Sequence, residues 1–514
     1  MEALLARTPV FLSVLALLGL ATLGLAVYNP PLVPLPVFGA LFFWVLCKVP
    51  VRYATFTVFF LALAADCLNE SPYEGEWKSP LYPIGRLLYK NMGYGLTLLD
   101  AAVFGLLAIF IYRRAVGLKT DPEVVRLPQA QVVALALVLI TILWVQVWGV
   151  SRGGNTKVTY WQFHQMAVLP IMVWLFNSAV RGPQDFRRIG QLIIAACVIK
   201  ALLGAYFIVF IARPRGLWHE YATHHSDTML YVAGLMTTIV SYSEERTKQN
   251  FRRMVVVCSI ILLGMHYNDR RLAYVSFLLS LMAWFLLSPW THARRQVARA
   301  LIVLAPVLPF YFAIGWSNPT GIFSIIGPFK SIIEGEKTAA NLGDQAMDYR
   351  DMENFNVVQT WTKNPLFGTG WGHPFDEVIK MPDISKSFAD YLYHPHNSVL
   401  GMLAYAGAIG FTGLWAYICV SQFLAVRAYH RAHVPLQRTA CIVSISVFIA
   451  YVNQCFGDMG TISWIGTLLM AMAVVCAGKV ATLTDAWPTL KENPTSLENS
   501  SYVPVADKMA EKSV

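Results

Sequence analysis

Long apolar runs recur almost from end to end of this 514-residue chain, and they constrain it more than any motif does. Inside a bilayer every backbone amide needs an internal partner, so a spanning chain must be helical or close into a barrel. Roughly 20 consecutive apolar residues make one helical crossing. The runs here are continuous rather than alternating, which sets a β-barrel aside. Hydropathy predicts about fourteen spans, at roughly 9–27, 32–47, 53–68, 96–112, 129–150, 159–180, 190–212, 228–243, 254–266, 272–289, 300–316, 397–426, 439–455 and 460–478. The fold class that follows is all-α, a polytopic transmembrane helical bundle. Composition agrees, since only 14% of residues are charged, against about 25% in soluble proteins. The first run follows Arg7 and has the look of a signal peptide, but further runs follow it directly and it is read as the first span.

The formal charge of +10 invites a nucleic-acid reading. Most basic residues lie instead in short connections between runs, so no nucleic-acid partner is expected. With the N-terminus in the cytoplasm, the short inner connections carry 19 Lys or Arg and the outer ones nine. Basic residues of short loops resist translocation, so both termini are expected inside. Four of the outer nine are Arg213, Arg215, Arg270 and Arg271. The chain then divides into transmembrane helices 1 to 11 (1–316), an external loop with short helices (317–396), helices 12 to 14 (397–478) and a disordered cytoplasmic tail (479–514). The eight cysteines show no CxxC spacing, so neither a disulfide framework nor a thiolate metal site is expected. Gly478-Lys479 is followed by Val480 rather than completing a phosphate loop, and ATP is not implicated. No internal repeat is evident, which weighs against an inverted-repeat transporter.

Four segments carry residues suited to chemistry. Tyr393-His394-Pro395-His396-Asn397-Ser398 sits where the long loop enters the next run, followed by GMLAYAGAIGF. Asn397 or Ser398 either caps a helix there or works beside histidines that take a proton from a sugar hydroxyl. Tyr349 to Trp361, with apolar residues at helical spacing, predicts a short helix stopped by Asn364-Pro365. At its start Arg350 either pairs with Asp351 or Glu353 or offers a bidentate fork to phosphate. Asn268-Asp269-Arg270-Arg271 forms a tight outer turn with a surplus positive charge even if Asp269 neutralises one arginine. The fourth segment runs from Arg213 and Arg215 through Trp218 to His225. HExxH fails at Thr223, so the segment reads as a cationic, aromatic loop with no metal. Lys200, Asp100 and His164 lie in or near spans and mark either an ion path or helix packing.

Together these segments resemble the O-antigen ligase and O-antigen polymerase family of bacterial envelope glycosyltransferases. The resemblance rests on three motifs in order: an outer-junction arginine (Arg270 or Arg271), an arginine opening the loop helix before Asn364 to Gly370 (Arg350), and HNxxL from His396 to Leu400 with glycines after it. Detailed similarity covers about 213–415. Tyr405 stands where family members often carry an acidic residue.

The resemblance implies a fold similar to C-type glycosyltransferases, in the bacterial inner membrane with the loop in the periplasm. It implies metal- and cofactor-independent transfer of a glycan from an undecaprenyl-pyrophosphate-linked donor to a saccharide acceptor. Flippase and chain-length regulator proteins are implied partners, with membrane lipids. The carried-over roles are His396 as the group that activates or positions the acceptor, and Arg350 with Arg270 or Arg271 on the pyrophosphate. Arg215, Asn397, His394, Trp218, Trp361 and Tyr393 are substrate-binding candidates, with Trp371 and Tyr391 as further sugar-stacking faces. A polymerase is the preferred role, from the long aromatic loop; a ligase acting on lipid A core or protein is the alternative. A flippase or secondary transporter, the reading from another class, requires cations scattered in depth rather than gathered at one face.

Overall fold

The computed structural model describes residues 51–65, 82–89, 96–115, 125–216, 222–268, 270–289, 292–317, 323, 326, 349–386 and 388–487. The expected spans 9–27 and 32–47, Trp218, Asp269 and the tail beyond 487 lie outside them. The described chain is helical with no strand. Its helices are α1 (Val51–Ala65), α2 (Tyr82–Tyr89), α3 (Leu98–Ala115), α4 (Gln129–Ser151), α5 (Thr156–Ala179), α6 (Pro183–Tyr206), α7 (Asp227–Glu244), α8 (Lys248–Asn268), α9 (Arg271–Leu287), α10 (His292–Leu304), α11 (Val307–Ser317), α12 (Tyr349–Lys363), α13 (Ser398–Arg431), α14 (Pro435–Gly457) and α15 (Trp464–Leu483). Among the described residues five helical segments are long and apolar enough to cross a membrane: α4, α6 with its extension to Arg215, α13, α14 and α15. The chain is a multi-pass helical membrane protein.

The core is organised around α15, whose most apolar stretch is 94% buried. It is packed among α1, α5, α7, α13 and α14. Polar side chains lock its register. Gln131 on α4 donates to both Ser421 Oγ on α13 and Val474 O on α15, each at 2.9 Å. Lys479 donates to Asn177 O at 2.6 Å and to Val180 O, placing a cation on the carbonyl end of α5. The two charged pairs left open between ion path and packing are both closed inside the bundle. Lys200 Nζ meets Asp227 Oδ1 at 2.5 Å across α6 and α7, and His164 Nε2 meets Asp100 Oδ1 at 2.5 Å across α5 and α3.

Three expected boundaries shift. The run at 300–316 is divided between α10 and α11 around Pro306, which has no amide to donate and crowds the preceding turn. Helix α15 continues to Leu483, beyond the expected end at 478. The run opening at 397 is one continuous path but not one helix, because α13 breaks at Gly407 (φ 63°, ψ −176°). The Asn364–Gly370 turn is inserted into that break. Thr369 and Gly370 N–H donate to Ala404 O and Tyr405 O at 2.9 and 2.8 Å, while Ala408 and Ile409 N–H donate to Pro365 O and Leu366 O at 2.9 and 3.2 Å. Two carbonyls and two amides at the break are thereby paired with the loop, as the low-dielectric surroundings favour. Only glycine occupies this region of φ and ψ comfortably.

Candidate active site

The loop segment 349–396 is held to one end of the bundle by backbone contacts. Beyond the insertion at Gly407, Asn155 N–H donates to Gly372 O at 2.8 Å. Gln162 on α5 reaches two points of the loop, accepting from Gly372 N–H at 2.6 Å and donating to Tyr393 O at 2.9 Å. Helix α12 ends at Lys363, directly before Asn364-Pro365, as the sequence predicts. Its buried face, with Val357, packs on Phe375, Met381 and Ala404. The helix is thus a fixed shelf across the mouth of α13.

Arg350 and Glu353, one turn apart on α12, reach in different directions. Glu353 is 1% exposed. Its carboxylate accepts from the His396 backbone N–H at 2.9 Å and faces His396 Nδ1 at 3.0 and 3.1 Å. The Tyr349 ring lies edge-on to the imidazole at 5.9 Å. Asn397 is the N-cap of α13, accepting from Leu400 N–H at 3.1 Å. The capping role expected of Asn397 is present, while the contact that orients His396 comes from Glu353. Arg350 pairs with neither Asp351 nor Glu353; its Nη1 donates to Gly457 O at 2.6 Å, at the end of α14.

Beside Gly457 a second histidine–carboxylate pair forms. His225 Nδ1 lies 2.7 Å from Asp458 Oδ2, and Arg270 Nη2 lies 2.9 Å from His225 Nε2. A guanidinium only donates, so Nε2 accepts, His225 is neutral, and its Nδ1–H donates to Asp458. Burial works against the Asp458 charge. The hydrogen bond from His225, the Met459 amide and nearby Arg350 outweigh it and hold the carboxyl well below the usual carboxylate range. Asp458 therefore joins the two arginines: it carries the negative charge between Arg270, reached through His225, and Arg350. Arg271 opens α9, partly buried, and Arg215 lies exposed in the 3-10 turn Arg213–Arg215 at the end of α6.

Between the His394-Pro395 segment and Met459–Ile462 lies a small pocket, with Gln162, Met402, Tyr405 and Trp371 in its wall. His394 lines it at 8% exposure, and burial pushes its imidazole down to about 4, so it is neutral at physiological pH. Trp361 gives its indole N–H to Pro365 O at 3.1 Å and, with Tyr391, packs against the small core under α12. Trp371 is 1% exposed, against Phe163. Among the described residues no three His, Cys, Asp or Glu side chains converge as metal ligands do.

Sequence reasoning named His396, Arg350 and Arg270, weighed Glu353 only as a partner of Arg350, and missed it as the partner of His396; Asp458 it missed altogether. Glu353 carried a usable signal, since it lies three residues after Arg350 on the predicted loop helix. Asp458 carried none, standing alone in a short connection 62 positions after His396.

No curated protein matches the chain. Residues 254–415 match the family model described as O-antigen ligase. The matched stretch includes Arg270, Arg350, Glu353 and His396 and ends shortly after the Gly407 break, leaving His225 and Asp458 outside it. Over that stretch, about a third of its length, the chain is similar to the O-antigen ligase family.

Proposed function

We propose that this protein transfers a glycan from an undecaprenyl-pyrophosphate-linked donor to an acceptor hydroxyl on the periplasmic face of the bacterial inner membrane, without a metal. The observation that carries this reading is the gathering of His396, Arg350 and Arg270 with their carboxylate partners at one end of the bundle. A flippase requires charge along the bilayer path, where Lys200 with Asp227 and His164 with Asp100 are instead tied in closed pairs.

In this reading the acceptor oxygen attacks the anomeric carbon of the donor sugar as its proton passes to His396 Nε2. The bond from that carbon to the pyrophosphate oxygen breaks, and its electron pair leaves with the pyrophosphate. Arg350 exchanges the Gly457 carbonyl for phosphate oxygens, and Arg270, already aimed at the same place through His225, takes up part of the growing charge. Neutral His394 and the pocket beside it receive sugar hydroxyls. Arg215, Trp218, Tyr393 and Trp361 are assigned to the approach of the saccharide chain.

The test is reconstitution in vesicles with a lipid-linked glycan donor. Transfer is expected to persist in excess EDTA; complete loss reversed by magnesium or manganese would sink the metal-free reading. Arg350→Lys keeps the charge and loses the fork, so about a tenfold or greater drop in transfer is expected. An unimpaired lysine variant would exclude bidentate pyrophosphate binding.

The acceptor separates two roles. The aromatic loop favours a polymerase extending a lipid-linked repeat unit, whereas the description of the matched family model favours a ligase. In a deletion strain, single-repeat surface products on a gel mark a lost polymerase, and long unattached chains a lost ligase.

A further inference from the structure

Two histidine–carboxylate pairs lie beside the arginines of this site, and they differ at one atom. In the His225–Asp458 pair, Nε2 is engaged by Arg270 at 2.9 Å. In the His396–Glu353 pair, Nδ1 and the backbone N–H are engaged and Nε2 makes no hydrogen bond among the described residues. Only the second pair presents a ring nitrogen to a hydroxyl.

We infer that Glu353 is the positioning residue of the transfer reaction: its carboxylate fixes the His396 ring with the proton on Nδ1 and so presents a basic Nε2 to the acceptor. The inference rests on the reading of His396 as the base. Three observations support it. An ionised carboxylate accepts and does not donate, so a ring nitrogen at 3.0 and 3.1 Å from its two oxygens must be the protonated one. The same carboxylate holds the His396 main chain at 2.9 Å, which sets the ring relative to its own backbone and not merely relative to α12. The flanking residues leave that backbone little freedom: Pro395 lies where a Cβ on Gly401 would meet its Cγ at 2.7 Å, and Asn397 is tied to Leu400 N–H.

The placement also explains why a carboxylate is tolerated at 1% exposure. A buried carboxylate is costly unless it is paired and hydrogen-bonded. Glu353 accepts hydrogen bonds in the resting state and faces an imidazolium once the acceptor proton has moved to Nε2. Charge then forms next to an opposite charge already in place, with no reorganisation at the moment of reaction. The proton balance is complete: it leaves the acceptor oxygen, stays on Nε2 while the glycosidic bond forms, and departs to water or to the released pyrophosphate. Glu353 itself is never protonated in the cycle.

The experiment is Glu353→Gln in the full-length protein, reconstituted in vesicles with the lipid-linked donor. The glutamine has the same shape, but its amide N–H donates and favours the opposite ring tautomer. A misplaced tautomer in a histidine–carboxylate pair costs about 10⁴ in kcat in the best-studied hydrolases. Here kcat is expected to fall by about 10²-fold or more, with the KM for donor little changed. A purely structural residue would instead lower folded yield and leave kcat per folded molecule intact.

A second measurement does not depend on folding of the variant. In ¹⁵N-histidine-labelled wild-type protein, the His396 resonances, identified by their loss in His396→Gln, are expected to report Nδ1–H with Nε2 unprotonated. An Nε2–H tautomer in the wild type overturns the assignment, as does a fully active Glu353→Gln. If His396→Gln is inert and Glu353→Gln fully active, the base stands and Glu353 falls. If His396→Gln is itself active, the base reading falls first.

Discussion

Replacing His396 by alanine is expected to lower glycan transfer by about 10²- to 10⁴-fold, the range over which a positioned general base contributes. The effect belongs to the chemical step, because the imidazole makes its described contacts with Glu353 and Tyr349 rather than with the arginines. Alanine also strips Glu353 of its ring partner, so the clean comparison is His396→Gln, whose amide still donates to that carboxylate. Both variants should insert in the membrane in normal amount and bind the lipid-linked donor. Initial rates of glycan transfer in vesicles are the readout. A glutamine variant with more than about a tenth of wild-type rate would remove His396 as the base.

Gly407→Ala is expected to be strongly disruptive. At φ 63° and ψ −176° a side chain is strained by about 1–3 kcal/mol before any contact is considered. Its Cβ would also fall inside contact distance of Leu366 O and lie 2.5 Å from Phe367 N, both backbone atoms that cannot swing away. Relief requires withdrawing the Asn364–Gly370 turn, which unpairs the four backbone hydrogen bonds of the insertion. A loss of about 3 kcal/mol or more is expected, at the upper end of single substitutions, together with loss of transfer because His396 immediately precedes the stub of α13 that the turn secures. The matched control is Gly105→Ala on α3, where a Cβ meets nothing within 4 Å and helix propensity alone applies. Thermal unfolding of the two variants in the same detergent decides it: equal melting temperatures would mean that the insertion contributes little.

Much of the bundle was legible in the sequence because lipid-spanning helices announce themselves by length and apolarity alone. The runs at 129–150, 159–180 and 439–455 each coincide with a helix to within a few residues. Hydropathy cannot see what a backbone does inside an apolar run, and so α13 read as unbroken: Gly407 differs from its apolar neighbours only in allowed φ and ψ. The loop helix was legible from its stop signal, Asn364-Pro365, and the cap from Asn397. The pairing of the charged groups was not. Glu353 had a sequence-near partner in reach, Arg350, yet it faces the ring of His396, 43 positions away. Asp458 and His225 are brought together by helices α7 and α14 packing side by side, a contact that no local pattern encodes.

The burial of α15 has a consequence for the order of assembly. Membrane helices are handed to the bilayer in the order of synthesis, N-terminal first. The helix at the centre follows its described helical neighbours, α1, α4, α5, α7, α13 and α14, in the chain. Until it emerges, those neighbours surround an unfilled axis, and the Lys479 contacts to the end of α5 do not exist. The half-made protein is therefore a ring awaiting its keystone, and arrest of translation before Trp464 leaves the ring open, exposed to quality-control proteases, however well the earlier helices have inserted.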